Sequence, residues 1–207
     1  GISINSFLFM FLKFIIPKGK TIILSTNSPY FYSGNTRYLY EYLLKNIKAN
    51  VFWHTECDDV KRFFKNSRMK YISTSNPLHY IWTLLRAKIV INDGDAYLNT
   101  FKIIDNIFTI KISTSHGSNE KFALYNFENI ISVKKQINRL QKFNYINVAS
   151  SYITESFVDM YSLSDKQIVS YGFPRCDQFF NKQLVSEKYL NKNLAKSFDD
   201  TIDKNTR

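Results

Sequence analysis

The sequence predicts an α/β fold, a parallel sheet with helices on both faces, from three observations. Short β-branched or aromatic runs recur from residue 21 onward, stretches of helical periodicity separate most of them, and six glycines and four prolines leave little loop filler. Strand and helix alternation favours parallel neighbours, because a right-handed crossover is the common way to join them. The 207 residues give room for one domain, or one domain and a tail, with a full hydrophobic core.

The strand candidates are residues 21–26, 50–54, 69–73, 88–92, 108–114, 145–149 and 167–171. Between the first two, residues 36–48 (TRYLYEYLLKNIK) set Leu39, Tyr40, Leu43, Leu44 and Ile47 on one helical face, with Ser33 or Asn35 able to cap it. Residues 77–86 and 133–142 repeat the pattern. The latter carries Lys135, Arg139 and Lys142 opposite Val133, Ile137 and Leu140. Such a cationic stripe is either a solvated face or a seat for a polyanion or membrane surface.

The amino end reads ISINSFLFMFLKFII over residues 2–16, apolar from Phe7 onward, and then Pro17-Lys18-Gly19-Lys20. Crossing a bilayer takes ~20 apolar residues, and this run is shorter and contains Lys13, so it should not span. No small-residue cleavage site follows it, against a signal peptide. Two readings stay open: a helix lying in the interface with Lys13, Lys18 and Lys20 near anionic headgroups, or a helix buried against the rest of the protein. Because the sequence begins at Gly1, a natural start upstream is expected.

Composition excludes several classes. An apolar share of 44% with 16% aromatics is incompatible with a disordered chain. Lys+Arg 28 against Asp+Glu 17 leaves a net charge of +11 and calls for an anionic partner. Nucleic acid is disfavoured, since the aromatics fall in apolar strand and helix patterns without a binding motif. Two distant cysteines, Cys57 and Cys176, exclude a disulfide scaffold and a four-cysteine zinc site, and fit a reducing compartment. His54 and Cys57 form an H-x-x-C pair with no second pair to complete a site. His54 reads as a strand-end residue and His79 as helical packing. Neither G-x-G-x-x-G nor the triphosphate loop occurs, and no metal or cofactor is read from the sequence.

In parallel sheets, ligands bind beyond the carboxyl ends of the strands. The residues there are 28–35, Asp93-Gly94-Asp95, Ser115-His116-Gly117-Ser118, Ser150-Ser151 and Gly172-Phe173-Pro174-Arg175. His116 is the leading chemical candidate. It directly follows a strand, it precedes a glycine that permits close approach, and imidazole exchanges protons near neutral pH. A hydrogen-bonded structural histidine is the alternative.

Four stretches then carry a resemblance: residues 32–43, opening Tyr32-Ser33-Gly34-Asn35; Ala87-Lys88-Ile89-Val90-Ile91-Asn92-Asp93; residues 115–121; and Tyr171-Gly172-Phe173-Pro174-Arg175-Cys176-Asp177. In order and spacing, over roughly residues 21–180, they resemble the CDP-glycerol glycerophosphotransferase family of teichoic acid and capsule polymerases. Members typically read W-H-G-T-P-L-K around a histidine, matched here by His116, Gly117 and Lys121. They read G-x-P-R-x-D at a later turn, matched by Gly172, Pro174, Arg175 and Asp177. Ser115 stands where tryptophan is usual, and Asn119-Glu120 replace Pro-Leu.

The resemblance implies a two-domain GT-B enzyme of which this chain is the amino-terminal, Rossmann-like half. Residues 1–20 would be a membrane-interfacial or packing helix and linker, 21–181 the acceptor-side domain, and 182–207 a helix and linker toward a nucleotide-binding domain not included. Such a fragment is expected to be poorly active alone. The implied reaction moves glycerol phosphate, or a related polyol phosphate, from a CDP-activated donor to a lipid-linked acceptor, peripherally at the cytoplasmic face of the membrane. His116 would be the general base, Gly117 would allow close approach, and Lys121 or Arg175 would steady phosphate oxygens, with Gly34, Asn35 and Asp177 also binding substrate. Two further readings are a GT-B glycosyltransferase using a nucleotide sugar, and a non-catalytic basic module that binds anionic membranes.

Overall fold

The computed structural model describes residues 11–12, 14–17, 19–94, 109–115 and 130–177. Its elements are β1 (Thr21–Ser25), α1 (Gly34–Asn46), β2 (Asn50–His54), α2 (Asp58–Asn66), β3 (Tyr71–Ile72), α3 (Pro77–Arg86), β4 (Ala87–Asn92), β5 (Ile110–Ser113), α4 (Ile130–Leu140), β6 (Tyr145–Asn147), α5 (Thr154–Tyr161) and β7 (Ile168–Val169). Short 3-10 turns lie at Ser151–Ile153, Asp165–Gln167 and Pro174–Cys176. All strand pairings are parallel, in the order β3-β2-β1-β4-β5-β6-β7. The chain builds outward from β1 in one direction, then returns to β4 and builds outward in the other. This Rossmann-like order opens a crevice at the carboxyl ends of β1 and β4, where the connections part to opposite sides.

Strand alternation assigns each helix to a face. Ile22 and Leu24 of β1 join Tyr40 and Leu43 of α1 and Val60, Phe63 and Phe64 of α2 in one core layer. Ile23, on the opposite face, meets Leu84 of α3, Leu140 of α4 and Phe157 and Tyr161 of α5. Full burial of such side chains contributes roughly 1.5–3 kcal/mol each. The first layer is also aromatic: the Tyr32 ring meets Trp53 edge-on at 4.8 Å and Phe64 at 5.0 Å.

Local signals explain the helix ends. Asn76 caps α3 by accepting from the His79 N–H, and Pro77 occupies its first position. Asp58 and Asp59 in the first turn of α2 and Lys65 in its last suit the helix dipole.

Several expectations need correction. Leu44 and Ile47 are exposed, so the buried stripe of α1 is narrower than its apolar pattern. Helix 133–142 lies instead at Ile130–Leu140, leaving Lys142 in the turn that follows. Ser33 stands at the N-cap of α1 but its side chain makes no capping bond, and Asn35 lies inside the helix. His79 is exposed, although its ring contacts Phe52 at 5.8 Å.

At the amino end, residues 11, 12, 14 and 15 are helical and the Ile16 N–H donates to the Leu12 carbonyl at 2.8 Å. Leu12 and Ile16 pack on the core, whereas Phe11, Phe14 and Ile15 face outward, Phe14 with 75% of its surface exposed. The segment thus has one side packed, as the burial reading expects, and an apolar side turned out. Among the described residues, no helix is long and apolar enough to cross a membrane.

Candidate functional site

Asn35 organises the rim. Its Nδ2 donates to the carbonyls of Ser115 (2.7 Å) and Thr114 (3.3 Å), just beyond β5, and its Oδ1 accepts from the Arg175 N–H at 3.4 Å, beyond β7. The side chain is buried, so each partner gained is one that water does not supply. One amide thereby ties the first helix to two distant strand ends.

Asp93 adds the fourth strand. Its Oδ1 accepts from the Thr114 hydroxyl at 2.6 Å and from the Thr36 N–H at 3.2 Å. The Thr36 N–H belongs to the first turn of α1, where donors lack intrahelical partners and the dipole favours an anion. The carboxylate therefore supplies the cap that Ser33 does not. Gly34, at φ +74, leaves the space this requires, since a side-chain carbon there would overlap the carboxylate. On β6, Asn147 donates to the Gly172 carbonyl and accepts from the Tyr171 N–H at 3.0 Å, anchoring the turn after β7.

The ends of β4, β5 and β7 thus meet around Asn35 and Asp93 at the start of α1, and β6 is tied in through the turn after β7. Ser115, with φ 55, turns the chain sharply as it leaves β5 toward position 116. Arg175 is half-buried, its guanidinium 5.5 Å from the Phe173 ring centre. Asp177 is exposed and borders a cavity of about 370 Å³ that α1 walls on one side and β5, β6 and β7 on the other.

Of the residues singled out from sequence, the structure gathers Gly34, Asn35, Arg175 and Asp177 on this rim. His116, Gly117 and Lys121 lie outside the described residues, as do Lys13 and Lys18. Lys20, Lys135 and Lys142 are exposed and Arg139 is half-buried. Helix α4 packs on the sheet face opposite α1, so its cations do not join the rim cluster.

Two residues of the site are not marked as functional by the sequence pattern: Asp93, which stands in a loop and closes one of the family-like stretches, and Glu56. Just past β2, the Glu56 carboxylate accepts from the Ser73 hydroxyl and the Thr74 N–H, both at 2.7 Å, and contacts His54 Nε2 at 3.2 Å. Partial burial pushes its pKa up, but the hydrogen bonds outweigh this and hold it at about 2. The cluster fastens the loop after β3 to the end of β2. Its one sequence signal is an acidic residue two positions past a strand. Cys57 and Cys176 are free thiols, and no group of three or more His, Cys, Asp or Glu among the described residues is placed to hold a metal ion.

Comparison with known proteins gives this geometry a context. Residues 8–202 match the family model described as CDP-Glycerol:Poly(glycerophosphate) glycerophosphotransferase. The teichoic acid glycerol-phosphate primase of Bacillus subtilis (strain 168) is 24% identical, over 86% of this chain and 49% of its own. The structure of the wall teichoic acid polymerase TagF superposes with a TM-score of 0.62 at 18% identity, covering 88% of this chain and 50% of that one. A TagF variant soaked with CDPG gives 0.58 at 16% identity, covering 86% and 50%. The structural likeness establishes the fold, that of a Rossmann-like GT-B amino-terminal half, and the chain spans about half the length of these relatives. With the family match extending over almost all of its residues, the chain belongs to the CDP-glycerol:poly(glycerophosphate) glycerophosphotransferase family.

Proposed function

We propose that this chain carries the acceptor side of a polyol-phosphate transferase. In this reading the hydroxyl of a lipid-linked acceptor attacks the glycerol-bearing phosphorus of CDP-glycerol or a related CDP-polyol. A new P–O bond forms, the bond to the cytidylyl phosphate breaks, and CMP leaves. His116 takes the hydroxyl proton as general base, and Gly117 lets the acceptor approach closely. Arg175 and Lys121 steady phosphate oxygens whose charge shifts during transfer. Gly34, Asn35 and Asp177 belong to the same binding rim. Positioning and charge stabilisation supply most of the catalysis in phosphoryl transfer, which suits a site whose loops are cross-tied.

The observation that carries this reading is the Asn35 amide, which joins the last described residue before His116 to the turn bearing Arg175. Supporting it are the family membership and the crevice at the strand-order reversal. Residues 21–181 form the acceptor-side domain in this account. Work at the cytoplasmic face follows from a nucleotide-activated donor, and the outward Phe11, Phe14 and Ile15, with Lys13, Lys18 and Lys20 close in the sequence, suit peripheral attachment to anionic lipid. Lys135, Arg139 and Lys142 would add a second cationic surface.

The test is product release. CMP should appear when the full-length protein receives CDP-glycerol and a lipid-linked acceptor, and should not appear with UDP-sugars in place of CDP-glycerol. Sugar transfer from a UDP-sugar without CMP release from CDP-glycerol would replace the proposal with a glycosyltransferase.

A further inference from the structure

We propose that Asn35 is a positioning residue: it holds Ser115 in a left-handed turn and so sets the direction in which the chain reaches position 116. This deepens, and rests on, the reading of His116 as general base. Among the described residues, three that are not glycine have positive φ: Arg68, Ser115 and Ser162. Arg68 and Ser162 lie at the ends of α2 and α5, where a left-handed residue is a common way to close a helix. Ser115 instead follows a strand, so the reason for its conformation must come from elsewhere. A serine there is unfavourable, because its β-carbon crowds the following carbonyl oxygen. Such a conformation persists only where the surroundings over-determine it.

The surroundings of Ser115 do so. Thr114 is pinned by its N–H to the Asn92 carbonyl at 2.8 Å and by its hydroxyl to the Asp93 carboxylate at 2.6 Å. The Ser115 N–H donates to the Ser113 hydroxyl at 3.3 Å. Asn35 completes the hold by donating to the carbonyls of both Thr114 and Ser115, at 3.3 and 2.7 Å. Consecutive carbonyls of an extended strand point to opposite sides, so one nitrogen reaches both only because the chain turns at Ser115.

The Asn35 side chain acts through backbone. Its Oδ1 is taken by the Arg175 N–H, and the residue is 1% exposed, so its amide groups serve the loops and not a substrate. Without the two donated bonds, Ser115 relaxes toward negative φ, and the chain leaves β5 in another direction. Misplacing a reacting group by about 1 Å can cost about 100-fold in rate.

Steady-state CMP release by the full-length protein, with CDP-glycerol and a lipid-linked acceptor, tests the role. Asn35→Ala should lower kcat by about 10- to 100-fold and leave both KM values within about threefold. Adding Ser115→Gly to that variant should raise its kcat again by about threefold or more, since glycine adopts positive φ readily. A rise in KM at unchanged kcat would overturn the inference, as the mark of direct substrate binding. So would a kcat that does not fall, or a fall that Ser115→Gly does not repair, the mark of general loosening. Should Asn35→Ala not fold, Ser115→Val carries the same test, because a β-branched residue resists positive φ. Its kcat should fall at constant KM, and an unchanged kcat would overturn the inference.

Urea denaturation of the wild type, Asn35→Ala, Ser115→Gly and the double variant separates the turn from the base. The two substitutions should be non-additive, since the strain that glycine relieves exists only while Asn35 imposes it. Non-additivity beside a His116→Ala protein that still releases CMP would uphold the turn and sink the base. Additivity beside an inactive His116→Ala protein would do the reverse.

Discussion

Gly34 and Asp93 are complementary in shape: a β-carbon on residue 34 would occupy the space of the Asp93 carboxylate that caps α1. The pair joins the start of α1, the helix that follows β1, to the loop after β4, at the place where strand order reverses and the crevice opens. A side chain at 34 must therefore either distort a left-handed backbone or expel the cap. Gly34→Ala should destabilise the protein by about 1–3 kcal/mol, measured by urea denaturation. Asp93→Asn keeps the shape but loses the charge, and should cost less, about 1 kcal/mol. Equal, negligible losses in both would show that the contact does not hold the rim.

Replacing Asn35 with alanine removes three hydrogen bonds at once and leaves two carbonyls and one N–H without their partner. We expect a loss of about 1–3 kcal/mol and faster amide exchange at Arg175, read by hydrogen exchange. Asn46→Ala, on the exposed end of the same helix, should change neither. Unchanged exchange at Arg175 in Asn35→Ala would break the proposed link between the two loops.

Glu56 predicts a pH dependence. Its folded pKa, about 2, lies below the ordinary 4.5, so its bonds contribute stability that is complete above pH ~4.5 and is lost as pH falls toward 2. Glu56→Gln should cost roughly 1–2 kcal/mol at neutral pH, a figure reduced for the partial solvent screening of this carboxylate. The gap between wild type and variant should close on acidification. A gap that stays constant between pH 6 and pH 2.5 in denaturant titrations would contradict the assignment.

The outward side of the amino-terminal helix predicts membrane binding. Flotation with vesicles containing anionic lipid should capture the protein, more weakly in high salt. Phe11→Ser/Phe14→Ser should reduce capture by tenfold or more, on the scale of ~1.5–3 kcal/mol per large apolar side chain. Leu12 and Ile16, which pack on the core, are kept in this pair of substitutions, and Tm establishes that the variant remains folded. Equal flotation of variant and wild type would remove this surface from the account.

The sheet was readable because its signals are local. Strands such as 50–54 and helix 77–86 carry their periodicity, caps and breakers within a few residues of themselves, and both occur at the expected bounds. Edge strands β3 and β7 pair over two residues each, shorter than their apolar runs, because only one neighbour is available to extend the ladder. The rim was readable only as a set of loops. The cap on Thr36 comes from Asp93, 57 residues away, and the Asn35 amide reaches Arg175 across 140. Which polar side chain fills which turn depends on strand order, and periodicity does not encode strand order. Likewise, Leu44 and Ile47 fit a helical stripe, yet the core they would cover ends at Leu43.

The general base is the centre of the functional account, and one substitution addresses it. CMP release from CDP-glycerol with a lipid-linked acceptor should be measured for wild type and His116→Ala, with circular dichroism and Tm establishing that the variant remains folded. Turnover should fall by at least about 100-fold, the low end of what a positioned general base provides. A folded His116→Ala protein that releases CMP within a few-fold of the wild-type rate would contradict it.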